Sequence, residues 1–270
     1  MPRARRAWRN GSRLGGAGAP SGSTAPVARS APGDSAPAFY ALEPGGWRDY
    51  VTLLHLPYTA WHLAYVVVGG CLAASVAWGR LGLTVVAFAL AMGIGAHALD
   101  ELNGRPLRTR IPARMLVALA VTTVAIASGI GLAVALETTL WIVPLVAVGA
   151  FLVPAYNLEL LGGRLHTHIG FALAWGAFPV VTAFVAQTAT IRVEAVLAAA
   201  WATLLSLAQR RLSLQARRIR REVAGGELTL ADGRKVTLEE GGLVGAPEAA
   251  LKLLAAATVA IAATLVAIRL

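Results

Sequence analysis

The stretch GIGAHALDELNGRPLRTRIPARM, residues Gly93 to Met115, lies between two long apolar runs and carries two carboxylates, a histidine and four arginines. With the preceding run helical, Gly93, His97, Asp100 and Glu101 share a face, because residues three and four apart are neighbours. Asn103-Gly104 and then Pro106 end that helix. Asp100 and Glu101 therefore sit at a helix C-terminus, where the macrodipole opposes acidic groups by about 0.3–1 kcal/mol each. Positive charge is expected to face them: the nearby arginines, a divalent cation, or both.

Working outward, the flanking runs set the class. Hydrophobic residues make up 57% of the 270 and charged ones 14%, against about 25% charged in soluble domains. Several runs reach spanning length, which reads as an all-α integral membrane protein. The alternating segments of a strand barrel are absent from the sequence. Cys71 is the only cysteine, so no intrachain disulfide is expected. In a soluble chain the net charge of +10 would suggest nucleic acid. Here its distribution reads as an orientation signal, and no nucleic-acid partner is expected.

Residues 1–46 are rich in Arg, Ala, Gly, Pro and Ser and read as a disordered basic cytosolic tail. An organelle transit peptide fits their composition too. Residues 47–270 form the membrane domain. Its seven apolar segments have cores at Thr59–Trp78, Leu81–Leu99, Ala113–Leu136, Thr139–Ala155, His168–Val185, Val193–Leu207 and Ala250–Ile268. Trp61, Trp78 and Trp141 lie near segment ends, as in an aromatic belt, whereas Trp175 and Trp201 lie deeper and should pack between helices. With a cytosolic N-terminus and seven crossings, only Arg80, Arg192 and Arg269 of the 24 basic residues fall outside. That asymmetry predicts a bacterial or archaeal plasma-membrane protein with its N-terminus inside. All five histidines then gather near the inner face. A cytosolic insert at about 224–247 contains GELTLADGRKVTLEE, which predicts a hairpin with a type I′ turn at Asp232-Gly233.

These motifs resemble the UbiA-type intramembrane prenyltransferase superfamily. In that family NDxxDxxxD, followed by RTxxRP, comes after the second helix. Here HALDELNGRPLRTRIP occupies that place, with Asp100 and Glu101 for the acidic half, Asn103 near the last aspartate, and Arg108-Thr109 and Pro112 for the basic half. The family's Tyr after the fourth helix resembles Tyr156 in VPAYNLELLGGRLH. The second acidic motif is replaced by QRRLSLQARRIRRE, with six arginines and no carboxylate before Glu222, and about two C-terminal helices are missing.

The resemblance implies a shortened bundle of about seven transmembrane helices. It would transfer a prenyl group from an isoprenoid diphosphate to a small-molecule or lipid acceptor at the cytosolic face. It also implies Asp100, Glu101 and Tyr156 as catalytic residues, with Asp100 and Glu101 holding Mg²⁺ on the diphosphate. His97, Asn103, Arg105, Arg108, Arg110, Arg210 and Arg211 are the expected substrate contacts, because guanidinium suits phosphate. Other readings stay open. The loop charges could be a neutralised helix end, and Arg210–Arg221 an anchor on anionic lipid. The chain could be a non-catalytic relative that binds a lipid or a partner protein. A transporter would use the proline-broken segments, but no ionisable residue is expected at mid-membrane depth.

Overall fold

Apolar runs that could not pay for exposure to water become helices here, almost throughout. The computed structural model describes residues 36–223 and 225–270. Among them, a short helix α1 (Trp47–Leu53) leads into α2 (Leu56–Cys71) and α3 (Trp78–Leu102). Then follow α4 (Ala113–Glu137), α5 (Ile142–Asn157), α6 (His168–Thr188), α7 (Val193–Glu222) and α8 (Glu240–Arg269). A two-stranded hairpin, β1 (Gly226–Thr229) and β2 (Lys235–Leu238), separates the last two. The helices α2 to α8 follow the seven apolar segments in order.

Four of these, α3, α4, α6 and α8, are long and apolar enough to cross a membrane. The pair α1 and α2, bent by 43°, makes a fifth if it counts as one span. Helix α5 has only 16 residues, and α7 carries arginines along its second half. Burial separates inner from outer helices: 56% of the apolar window of α6 is buried, against 22% in α4 and α8. Val121, Leu136, Leu253 and Ile268 on those two outer helices are all more than 60% exposed. Apolar faces of that extent need apolar surroundings.

The inner packing depends on close backbone approach. A Cβ on Gly69 of α2 would overlap the carbonyl oxygen of Val180 in α6, and one on Gly176 would lie 2.7 Å from the Ala202 carbonyl oxygen of α7. Small residues at such crossings are how membrane helices gain van der Waals contact. Gly69→Ala should therefore cost about 1–3 kcal/mol by forcing α2 from α6. Gly82→Ala, where nothing lies within 4 Å, should be neutral. Thermal melting of both variants in detergent checks this, and equal melting temperatures would contradict the crossing.

Two π-helical stretches, Ala89–Ala96 in α3 and Leu173–Ala177 in α6, have no signal in the sequence pattern. Such bulges disturb the i→i−4 ladder and occur often at functional sites. The Trp175 carbonyl within the second accepts a hydrogen bond from His62 Nδ1 at 2.9 Å.

Three expectations change. Trp61 is not at a belt: it is fully buried, and its Nε1–H donates to Tyr65 Oη at 2.6 Å. The hairpin forms with Leu228 opposite Val236, but its turn differs. Leu230 N–H donates to the Arg234 carbonyl and Gly233 N–H to the Leu230 carbonyl. Gly233 has φ 85° while Asp232 is not left-handed, so a three-residue loop ending in glycine replaces type I′. Most of the expected disordered tail, residues 1–35, lies outside the described residues. Its described end, 36–46, is packed: Phe39 and Tyr40 meet Tyr58 edge-on, and Leu42 N–H donates to Thr52 Oγ1.

The far end of the bundle holds the three arginines expected outside. Arg80 donates to the Ala186 carbonyl, Arg269 to the Cys71 carbonyl, and Arg192 pairs with Glu194 at 2.9 Å. Trp78 and Trp141 are exposed there, while Trp175 is buried and Trp201 packs edge-on against Tyr65.

Candidate functional site

The loop between α3 and α4 is built around two buried carboxylates. Glu101, fully buried, accepts from Leu107 N–H at 2.9 Å, and from Thr109 N–H and Thr109 Oγ1–H at 2.8 Å each. Asp49 of α1, 3% exposed, accepts from Gly45 N–H and from Arg110 N–H, both at 2.9 Å. Arg105 turns back to donate to the Ile111 carbonyl at 2.6 Å. Arg105 and Arg108 both have positive φ, strain that a fully determined loop can hold.

This corrects much of the expected site. Glu101 is a loop staple and does not face a cavity. The reason is rotational: consecutive helix residues point about 100° apart, so Asp100 and Glu101 cannot share a target. Asn103 is exposed and donates to the Asn157 carbonyl at 3.1 Å. Arg105 is spent on loop carbonyls, and Arg108, Arg110 and Arg211 are exposed and are not among the residues lining the polar cavity described next.

Four expected residues do come together. His97 and Asp100 from α3, Tyr156 from α5 and Arg210 from α7 line one polar cavity of about 110 Å³. Tyr156 is stacked on His166, with centroids 4.5 Å apart, and lies 4.4 Å from the Trp175 ring. Arg210 lies 5.3 Å above the Phe171 ring, and its Nη2–H meets His166 Nε2 at 2.8 Å. Arginine can only donate, so the His166 proton sits on Nδ1, which points at the Tyr156 carbonyl at 3.2 Å. Burial, its largest influence, pulls the Arg210 guanidinium below the usual arginine value, yet arginine remains charged. Opposite, His55 is stacked on His97 at 4.0 Å, and Tyr40 covers His55. Burial, then Tyr58, pushes the Tyr40 phenol above its usual range, so it stays protonated.

The polar inventory of the cavity is incomplete without a ligand. His55 Nε2, Tyr156 Oη, Gln209 Oε1 and Arg210 Nε are buried with no partner, each a cost of about 1–3 kcal/mol unless something answers it. Asp100 and Arg217 also line the cavity with no hydrogen-bond or ion-pair partner among the described residues. By contrast Glu248 of α8 is taken: Arg220 grips it with two bonds, 2.7 and 3.0 Å.

Arg217 is the main residue the motif comparison missed. The signal was its spacing, since Arg210, Ser213 and Arg217 lie at i, i+3 and i+7 and share one helix face. Arg211, Arg218 and Arg221 take the exposed side. The arginine run is thus two stripes, one lining the cavity and one facing out, where it suits anionic lipid.

Next to this chamber is an apolar groove of about 100 Å³ between α3, α4, α5 and α6, walled by Phe88, Met92, Leu152, Val153 and Phe178. Trp175 lines both spaces. A charged chamber beside an apolar slot suits an amphiphile with an anionic head.

No family model, curated protein or solved structure matches the chain. The magnesium implied by the sequence resemblance was tested against the donors present. Mg²⁺ takes oxygen ligands, usually from one or two carboxylates plus substrate phosphates. Among the described residues, no three His, Cys, Asp or Glu side chains converge on a metal position. Glu101 is committed to its loop and Glu248 to Arg220, which leaves Asp100 as the one carboxylate of the cavity without a partner among the described residues. One carboxylate is the fewest from which Mg²⁺ is held, and then only with substrate phosphates, so the described residues by themselves form no magnesium site.

Proposed function

We propose that this chain is a divergent, shortened UbiA-like intramembrane prenyltransferase that takes an isoprenoid diphosphate at the cytosolic membrane face. One observation carries the reading: a chamber lined by Arg210, Arg217 and the Glu248-bound Arg220, with unpartnered polar atoms, adjoins an apolar groove across the shared Trp175 wall. The diphosphate head lies against Arg210 and Arg217 and the prenyl chain in the groove. In transfer, the prenyl C–O bond breaks and pyrophosphate leaves with the electron pair. Guanidinium donors already in place stabilise that departing charge. The rings of Tyr156, Phe171 and Trp175 face the carbocation-like prenyl carbon. A nucleophilic acceptor supplies the electron pair of the new bond, and its proton passes to Asp100.

Asp100→Asn should therefore retain prenyl diphosphate binding and lose pyrophosphate release by about 100-fold or more, as loss of a general base does. The check is radiolabelled geranylgeranyl diphosphate added to native membranes containing the chain, with transfer and pyrophosphate both counted. The second reading, a non-catalytic relative that binds the same amphiphile, is favoured by the commitment of Glu101 to its loop. Binding without pyrophosphate release in the wild type would select it.

The topology belongs to the same proposal. Seven crossings with a cytosolic N-terminus put the hairpin inside and Leu270 outside, in a bacterial or archaeal plasma membrane. Reporter fusions at Ala231 and after Leu270 should report opposite sides. The same side for both would exclude an odd number of crossings between start and end of α8.

A further inference from the structure

We infer that the anionic head is held by guanidinium groups alone, with no divalent cation between carboxylate and phosphate. This rests on the proposed isoprenoid diphosphate reading and deepens it.

The first support is the fate of the carboxylates. A metal clamp on a diphosphate needs oxygen donors free to turn toward it. Glu101 has three hydrogen bonds to loop donors, and Glu248 is held by both ends of the Arg220 fork. Of the two carboxylates lining the chamber, Glu248 is neutralised by Arg220, and Asp100 remains against Arg210 and Arg217.

The second support is the readiness of the cationic side. Arg210 is fixed before any ligand arrives: one Nη is held by His166, and its plane lies over Phe171. Its Nε–H is buried without an acceptor, a donor that an oxyanion would satisfy. The phenol of Tyr156, a residue only 4% exposed, is likewise unpartnered beside it. Arg217 lies two turns further along α7, about 10 Å by helix rise, close enough for two long side chains to meet on one diphosphate. Planar guanidinium forks bind phosphate oxygens bidentately, which replaces charge the metal would otherwise supply. His166 enters as a positioning residue, since its Nε2 fixes where Arg210 points.

The signs of three measurements separate this from a metal clamp. Full-length protein in detergent is titrated calorimetrically with geranylgeranyl diphosphate, in EDTA and in millimolar Mg²⁺. The expected dissociation constants agree within about twofold. Asp100→Asn should leave affinity unchanged or raise it severalfold, because a negative charge facing an anion is removed. Inorganic pyrophosphate should compete with the lipid in EDTA on the wild-type protein, a result independent of whether any variant folds. His166→Ala should lower affinity about tenfold, with only a small fall in melting temperature from the lost stacking on Tyr156. His166→Gln, whose side-chain oxygen can accept from Arg210, should restore much of it.

Affinity that falls tenfold or more in EDTA, returns with Mg²⁺, and loses that gain in Asp100→Asn would overturn the inference while leaving the prenyl diphosphate reading in place. No binding of farnesyl, geranylgeranyl or polyprenyl diphosphate, with or without Mg²⁺, would overturn the underlying reading itself.

Discussion

Glu101→Ala will lower the stability of the bundle by about 3 kcal/mol or more, the largest stability effect expected of any single polar residue here. The side chain removed accepts from the backbone N–H groups of Leu107 and Thr109 and from the Thr109 hydroxyl. Leu107 and Thr109 are both under 9% exposed, so water cannot readily replace the carboxylate. Each stranded donor costs about 1–3 kcal/mol. Glu101→Gln keeps one acceptor oxygen for the Thr109 pair and turns an NH₂ toward Leu107, so it should fall between. Thermal melting in detergent measures both. A Glu101→Ala protein that melts like the wild type but no longer binds prenyl diphosphate would return Glu101 to the ligand site and refute the staple.

Arg210→Gln with Arg217→Gln is expected to abolish measurable binding of an isoprenoid diphosphate while sparing the fold. Each charge-assisted hydrogen bond to a phosphate contributes about 1.5–3 kcal/mol, or roughly 10-fold to 100-fold in affinity. The two should act together on one head, so the double change need not equal the product of the single ones. Arg217 has no hydrogen-bond or ion-pair partner among the described residues, and its replacement should change the melting temperature little. Arg210 also packs on Phe171 and holds His166, so a small loss of stability is expected there. Arg211→Gln and Arg218→Gln, on the exposed stripe, are the matched controls. Binding that drops equally in the controls would mean that general positive charge at the membrane face, and not the chamber, attracts the ligand.

The two predictions divide the central motif. By the family resemblance HALDELNGRPLRTRIP would be one ligand-binding unit, with a neutralised helix end as the alternative. Its residues in fact serve two ends. His97 and Asp100 face the chamber, while Glu101, Arg105 and Thr109 tie the loop that follows. Asp49, distant in sequence and without a motif, supports the same loop from α1.

Hydrophobic pattern alone determined the helical class, the order and approximate bounds of α2 to α8, and the hairpin pairing. These follow from nearest neighbours and from runs that water will not solvate, which composition and periodicity record directly. Asp100 and Tyr156, expected at one site with Arg108, both line the chamber because alternating helix direction brings their ends to one side, whereas Arg108 does not line it. What only the tertiary structure decided was direction around each helix. A 100° step sends Asp100 into the chamber and Glu101 away from it, and assigns Arg217, not Arg211, to the face that Arg210 occupies. The two π-helical stretches shift that rotation further, and no residue pattern announces them. The carboxylates open to a ligand, and those spent on the fold, are set by contacts between residues as far apart as Asp49 and Arg110 or Arg220 and Glu248, and a chain read along its length does not contain those distances.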